Sequence, residues 1–156
     1  MTVVYPGSFD PPTVGHVAVA RRASALFERV TVLVIANPAK ASRLPLSERA
    51  ALMRRCLQDV PNLTVEWGAG LLIDHVRRLN AGAILRGLRG ESDYGAERPV
   101  ADLMLRQCGA ETLFMQCDPE VSYVSSSIAR ELLQLGGDAH RIVPAEILGD
   151  VIAAYA

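Results

Sequence analysis

Short apolar runs alternate with amphipathic stretches along the whole chain. Residues 2–5, 30–36, 64–67, 83–85 and 112–116 are rich in Val, Ile, Leu and Thr. Several of these runs are nearly continuous in apolar residues, the pattern of strands buried on both faces. Between them the period changes. Val17, Ala20, Ser24 and Phe27 recur at helical spacing, with Arg21, Arg22 and Glu28 elsewhere around the turn. Ser47 is placed to cap a helix running to about Leu57, before Pro61. Further helices are expected over 71–79, 93–106, 126–135 and 145–154, with Gly136-Gly137 as a stop. No repeat, low-complexity tract or linker divides the chain, so one domain over residues 1–156 is expected.

Strand–helix alternation predicts an α/β fold: an open, parallel, five-stranded sheet with helices on both faces. Such sheets bind ligands outside the carboxyl ends of their strands. Polar, glycine-rich and serine-rich segments should therefore follow strands. They do: GSFDPPTVGH (7–16), NPAK (37–40), GAGLL (68–72) and RGLRG (86–90) each follow one of the first four runs, and VSYVSSS (121–127) comes soon after the fifth. Five segments are expected to meet at one edge of the sheet.

Composition narrows the picture without changing it. At 156 residues and 50% hydrophobic, the chain can bury a substantial core. A net charge of -1 gives no sign of a general nucleic-acid or membrane-surface binder. The cysteines Cys56, Cys108 and Cys117 lack CxxC spacing and are odd in number, which argues for reduced thiols rather than a disulfide framework or zinc site. No signal-peptide pattern precedes the first motif and no apolar run approaches a membrane span, so a cytoplasmic location is expected.

The first segment is the most informative. Gly7 and Ser8 let the chain leave a strand tightly, and Gly15 allows close approach where a helix begins. First-turn amides lack internal partners and carry the positive end of the helix dipole, so they favour phosphate. His16 in that turn could add a further hydrogen bond, although a lone histidine is more often structural. Thr13-Val14-Gly15-His16 resembles the T/H-x-G-H signature of the nucleotidylyltransferase superfamily, and SSSIAR (125–130) resembles its second signature. Class I aminoacyl-tRNA synthetases share related signatures, but this chain is far shorter. The finer resemblance is to the phosphopantetheine adenylyltransferase family. YPGSFDPPTVGH, NPAK, RGLRGESDY, VSYVSSS and LGGD (135–138) fall in that family's order and at closely similar spacing.

The resemblance implies a Rossmann-like fold and transfer of the adenylyl group of ATP to 4′-phosphopantetheine, giving dephospho-coenzyme A and pyrophosphate. The attacking group is already an anionic phosphate, so the site needs positioning and charge stabilisation rather than a base. By similarity His16 meets the α-phosphate region and Lys40 neutralises the reacting groups. Ser8 touches both substrates, and the backbone of Phe9 meets ATP. Arg86 binds the phosphopantetheine phosphate, for which a planar guanidinium is well shaped. Leu72 falls at the pantetheine-contact position. Gly87, Leu88, Arg89 and Glu97 match ATP-contacting positions, as do Val121, Ser122, Tyr123, Val124, Ser125, Ser126 and Ser127. Magnesium is implied with ATP, carried on the phosphates, since no carboxylate cluster suggests a dedicated protein metal site. Coenzyme A or dephospho-coenzyme A as product or inhibitor, and a homo-hexamer, are implied in the same way.

The chain departs from the family pattern at two places. Ala41 replaces a second lysine, and Gly95 and Pro99 interrupt a usually continuous helix. Pro99 disfavours helical geometry at Arg98, so the helix is expected to start late, with Pro99 in its first turn. Two other readings stand beside the main one. GSFDPP also suits nicotinamide-mononucleotide adenylyltransferases, and a non-catalytic nucleotide- or coenzyme A-binding protein could keep the same fold.

Overall fold

The computed structural model describes residues 1–36 and 42–155. Five strands, β1 (Thr2–Gly7), β2 (Arg29–Ile35), β3 (Leu63–Gly68), β4 (Ala83–Leu88) and β5 (Glu111–Gln116), form one parallel sheet in the order β3-β2-β1-β4-β5. Six helices connect and follow them: α1 (Val14–Leu26), α2 (Leu46–Leu57), α3 (Leu72–Arg78), α4 (Glu91–Cys108), α5 (Ser126–Gln134) and α6 (Leu148–Tyr155). This is the Rossmann-like arrangement. The strand order reverses between β1 and β4, where a binding crevice forms.

The apolar runs are buried as their composition demands. Val3, Val30, Val32, Val34, Ala83 and Leu85 pack in one large cluster with residues of α1, α2, α5 and α6. Ile84 points to a second cluster with Ile73 and Val76 of α3 and Met104 of α4. Odd and even positions of β4 thus serve opposite layers, the period-two consequence of the pleat. Among the described residues no helix is long and apolar enough to cross a membrane.

Three helix starts differ from the sequence expectation, the simplest being α6, which begins at Leu148 rather than at 145, after turns at 145–147. α2 starts at Leu46 behind Pro45, and no side chain caps it. The Asp10 carboxylate instead fixes the entry by accepting from the backbone N–H groups of Arg43 and Leu44, which leaves Ser47 as an exposed first-turn residue. α4 starts early, at Glu91, and runs through Pro99. Gly95 and Pro99 both face solvent, so the Gly95 carbonyl that Pro99 cannot serve is open to water. Asp93 draws the first turn together by accepting from the Arg89 N–H at 2.9 Å. The stop at α5 follows the expectation. Gly136 takes a left-handed φ of 69°, Gly136 N–H donates to the Leu133 carbonyl, and Gly137 N–H donates to that of Leu132, a Schellman closure.

Candidate active site

β1 follows β2 from Thr2–Arg29 to Gly7–Val34, but pairs with β4 at Val3–Ala83 and Val4–Ile84. The split begins near Pro6, which has no N–H for a ladder, and its carbonyl accepts from Arg86 Nη1 at 3.3 Å. A cavity of about 740 Å³ opens at the carboxyl end of this split. Every strand end contributes to its lining: Gly7 and Ser8 after β1, Ala36 after β2, Gly70 and Leu71 after β3, Arg86 and Arg89 at β4, and Cys117 and Val121 after β5. The volume suits a small-molecule site of nucleotide size.

The T-x-G-H turn is built as a capping box. Thr13, 1% exposed, accepts from the His16 backbone N–H through its hydroxyl, while the Thr13 N–H donates to His16 Nδ1 at 3.1 Å. Because Nδ1 accepts, the neutral ring carries its proton on Nε2. The same local bonds that start α1 therefore set the tautomer of its histidine. Phe9 braces the ring from the other side, edge to face at a centroid distance of 4.9 Å. Phe9 itself has a left-handed φ of 46° and packs edge-on against Tyr5. Gly7 is required by that packing, since a Cβ there would lie 2.7 Å from the Phe9 ring. At Gly15 a Cβ would make only ordinary contacts with the protein. What that glycine leaves open is the cavity it lines.

Arg86 of β4 and Arg89 just after it are held by carboxylates one helical turn apart on α4. Arg86 Nε lies 3.1 Å from Glu97 Oε2. Arg89 grips Asp93 with Nε and Nη2, both at 3.0 Å. The Arg89 hydrogen bonds hold the Asp93 carboxyl below the usual aspartate range. Gly87 sits between them, where a Cβ would press on Val19 at 3.3 Å and approach Cys117 and Tyr5. Burial raises the Tyr5 hydroxyl and the Cys117 thiol above their ordinary pKa values.

Each hydroxyl of the serine run has a partner within the protein. Ser125 caps α5 by accepting from the Ile128 N–H, Ser126 donates to the Pro11 carbonyl, and Ser127 accepts from Arg130. All three still line the cavity, at the N-terminus of α5.

Of the residues singled out from sequence, the cavity gathers Ser8, Phe9, His16, Leu72, Arg86, Gly87, Arg89, Glu97, Val121, Val124 and Ser125 to Ser127. Leu88, Ser122 and Tyr123 are not in its lining. Ser122 donates to the Pro119 carbonyl, and Tyr123 is exposed. Lys40 lies outside the described residues. Sequence reasoning missed Asp10, Arg49 and Arg130, which hold the first loop. Arg49 donates to the Ser8 carbonyl and Arg130 to the Asp10 carbonyl, each at 2.7 Å. Among the described residues no group of three or more His, Cys, Asp or Glu could hold a metal ion.

A family model described as cytidylyltransferase-like matches residues 4–132. A phosphopantetheine adenylyltransferase of Picosynechococcus sp. is 40% identical over 99% of this chain and 88% of its own length. One from Synechocystis sp. is 38% identical over 99% and 98%. The chain belongs to the phosphopantetheine adenylyltransferase family. Its fold is shared more widely: a Vibrio parahaemolyticus crystal structure assigned as a nicotinate-nucleotide adenylyltransferase superposes with a TM-score of 0.65, at 15% identity and 99% and 96% coverage. Family membership gives the cavity a context in which its lining can be judged. The cations and hydroxyls that line it suit anionic phosphates, and its carboxylates Asp93 and Glu97 are engaged by arginines.

Proposed function

We propose that this chain is a single-domain cytoplasmic enzyme that transfers the adenylyl group of ATP to the phosphate of 4′-phosphopantetheine. A phosphate oxygen of the acceptor attacks the α-phosphorus, the bond from that phosphorus to the bridging oxygen breaks, and pyrophosphate leaves. Dephospho-coenzyme A is the product and, with coenzyme A, competes for the same cavity. The observation that carries this reading is the gathering of a fixed Nε2–H donor, two arginines and a helix N-terminus around one cavity at the β1/β4 split.

His16 donates from Nε2 to a non-bridging oxygen of the α-phosphate, where charge grows during transfer. Arg86 takes the acceptor phosphate, held by Glu97 at Nε and by the Pro6 carbonyl at Nη1. Ser8 and Lys40 complete the surroundings of the reacting phosphates, and Leu72 meets the pantetheine arm. Phe9, Gly87, Arg89 and Glu97, with Val121, Val124 and 125–127, surround ATP. Magnesium, when bound, neutralises charge on the triphosphate. With Asp93 and Glu97 engaged by arginines, the donor set fits a cation held through phosphate oxygens rather than by a protein cage. Assembly into a homo-hexamer belongs to the same reading, and sedimentation at micromolar concentration tests it.

The deciding experiment is pyrophosphate release from ATP and magnesium with 4′-phosphopantetheine, nicotinamide mononucleotide or glycerol phosphate as acceptor. Release with phosphopantetheine alone, lost in His16→Ala, is expected. Release with another acceptor overturns the substrate assignment, and ATP binding without any release points to a binding protein.

A further inference from the structure

Asp10 is 2% exposed, yet it lies in the turn between β1 and His16. Three donors satisfy its carboxylate, and all come from outside that turn. The Arg43 N–H donates to Oδ2 at 2.9 Å, the Leu44 N–H to Oδ1 at 3.3 Å, and the Tyr155 hydroxyl to Oδ1 at 3.1 Å. Tyr155 is itself buried at the end of α6. Arg43 closes the circuit: its guanidinium lies over the Tyr155 ring, 5.4 Å from the centroid, and Nε donates to the Ala154 carbonyl at 3.2 Å. Arg49 is also 2% exposed, and the Asp10 charge counters part of the effect of its burial.

A buried carboxylate that only stabilised the fold could sit anywhere in the core. This one sits six residues before His16, in the turn whose Phe9 ring braces the imidazole. We propose that Asp10 is a positioning residue for adenylyl transfer, and that through it Tyr155 of α6 sets the place of the His16 turn. The segment entering α2, the last helix and the phosphate-binding turn then share one buried acceptor. Losing any donor shifts the turn relative to the cavity. Asn at position 10 cannot reproduce the node. If its oxygen keeps Leu44 and Tyr155, its amide nitrogen stands against the Arg43 N–H, donor against donor.

The kinetic part of the test rests on the adenylyl-transfer reading; the spectroscopic part does not. The full chain is compared as wild type, Asp10→Asn, Tyr155→Phe and the double variant, well below each melting temperature. In Asp10→Asn, kcat is expected to fall about 10- to 100-fold with both KM values within about threefold, because misplacement near 1 Å acts on the transition state. Tyr155→Phe loses about three- to tenfold. The double variant matches Asp10→Asn within about twofold, because Tyr155 acts through Asp10. The ¹H–¹⁵N correlations of the three histidine rings, with His16 identified by its loss in His16→Ala, are recorded without substrate. The His16 signals should move in both variants while those of His75 and His140 stay.

Unmoved His16 signals overturn the proposal, as does a kcat per folded molecule equal to wild type. Losses that multiply in the double variant overturn the route through Asp10. If Asp10→Asn does not fold, Tyr155→Phe decides on the same two readouts. Absence of wild-type turnover with phosphopantetheine sinks the substrate reading instead and leaves the ring signals to decide this one.

Discussion

Gly7→Ala adds one methyl group where the structure has no room for it. The new Cβ would sit 2.7 Å from Phe9 Cζ, 2.9 Å from Cε2 and 3.0 Å from Cε1, against ordinary carbon contacts of about 3.5–4.0 Å. The ring must retreat by most of an ångström. It is 2% exposed and wedged between Tyr5, at 5.4 Å, and His16, at 4.9 Å. It therefore pushes the imidazole or breaks its own packing. Overpacking of this kind costs about 1–3 kcal/mol. The lost glycine freedom in the unfolded chain offsets about 0.4–1 kcal/mol. The net destabilisation is then about 0–2.6 kcal/mol, a fall in Tm of up to roughly 10 °C for a domain of this size. A stability of about 5–15 kcal/mol leaves the variant folded at 25 °C. Its kcat should nevertheless drop on the order of 100-fold, because His16 is displaced from the α-phosphate while the cavity still binds substrates. Pyrophosphate release is measured beside a thermal melt. Phe9→Leu in the same chain shortens the clashing group and should restore part of the rate. Gly7→Ala with kcat within twofold of wild type would refute the brace.

Three further outcomes follow from α4 and its partners. Glu97→Gln keeps an acceptor for Arg86 Nε but removes a negative charge from a pair whose side chains are 22% and 32% exposed. At about 1 kcal/mol for such a partly screened pair, KM for phosphopantetheine should fall about fivefold; Glu97→Ala should raise it, and identical shifts in the two variants would contradict the holding role. Pro99→Ala restores the N–H missing from the middle of α4, which should raise Tm by about 3–10 °C on roughly 1–3 kcal/mol; a lower Tm in a thermal melt would mean that the proline is needed in place. Asp93 has its folded pKa depressed by Arg89, so its stabilisation is fully present above an unfolded pKa of about 4 and is lost as pH falls through the lower folded value. Stability measured by urea unfolding between pH 6 and pH 3 should therefore drop less steeply in Asp93→Asn than in wild type.

The alternation of apolar runs and helical patterns made the sheet legible because each signal lies within one element. Val30 to Val34 read as a buried strand and are buried. α4 resisted the same reading. Pro99 and Gly95 argue against a helix when propensity alone is weighed. The structure shows what propensity omits: both face water, so the orphaned Gly95 carbonyl can be hydrated, and the Arg89–Asp93 clasp organises the first turn. Ser47 failed as a cap for a related reason. The acceptor that fixes the start of α2 comes from Asp10, over thirty residues earlier.

The candidate site divides along the same line. His16, Arg86 and the serine run were legible because their segments follow strands and carry recognisable spacing. Their supports were not, since no local pattern announces an arginine that reaches back across most of the chain. Arg130 meets the Asp10 carbonyl from 120 residues away, and Tyr155 meets the Asp10 carboxylate from 145. These contacts fix the turn that motif reading treats as self-sufficient. The capping box shows why that treatment succeeds only in part. Thr13 and His16 determine the ring's tautomer between themselves, so the chemistry of the donor is local. Its place in the cavity depends on Phe9, Gly7 and the bonds from α2, α5 and α6. A short motif therefore specifies which proton is offered, and the distant contacts specify where it is offered.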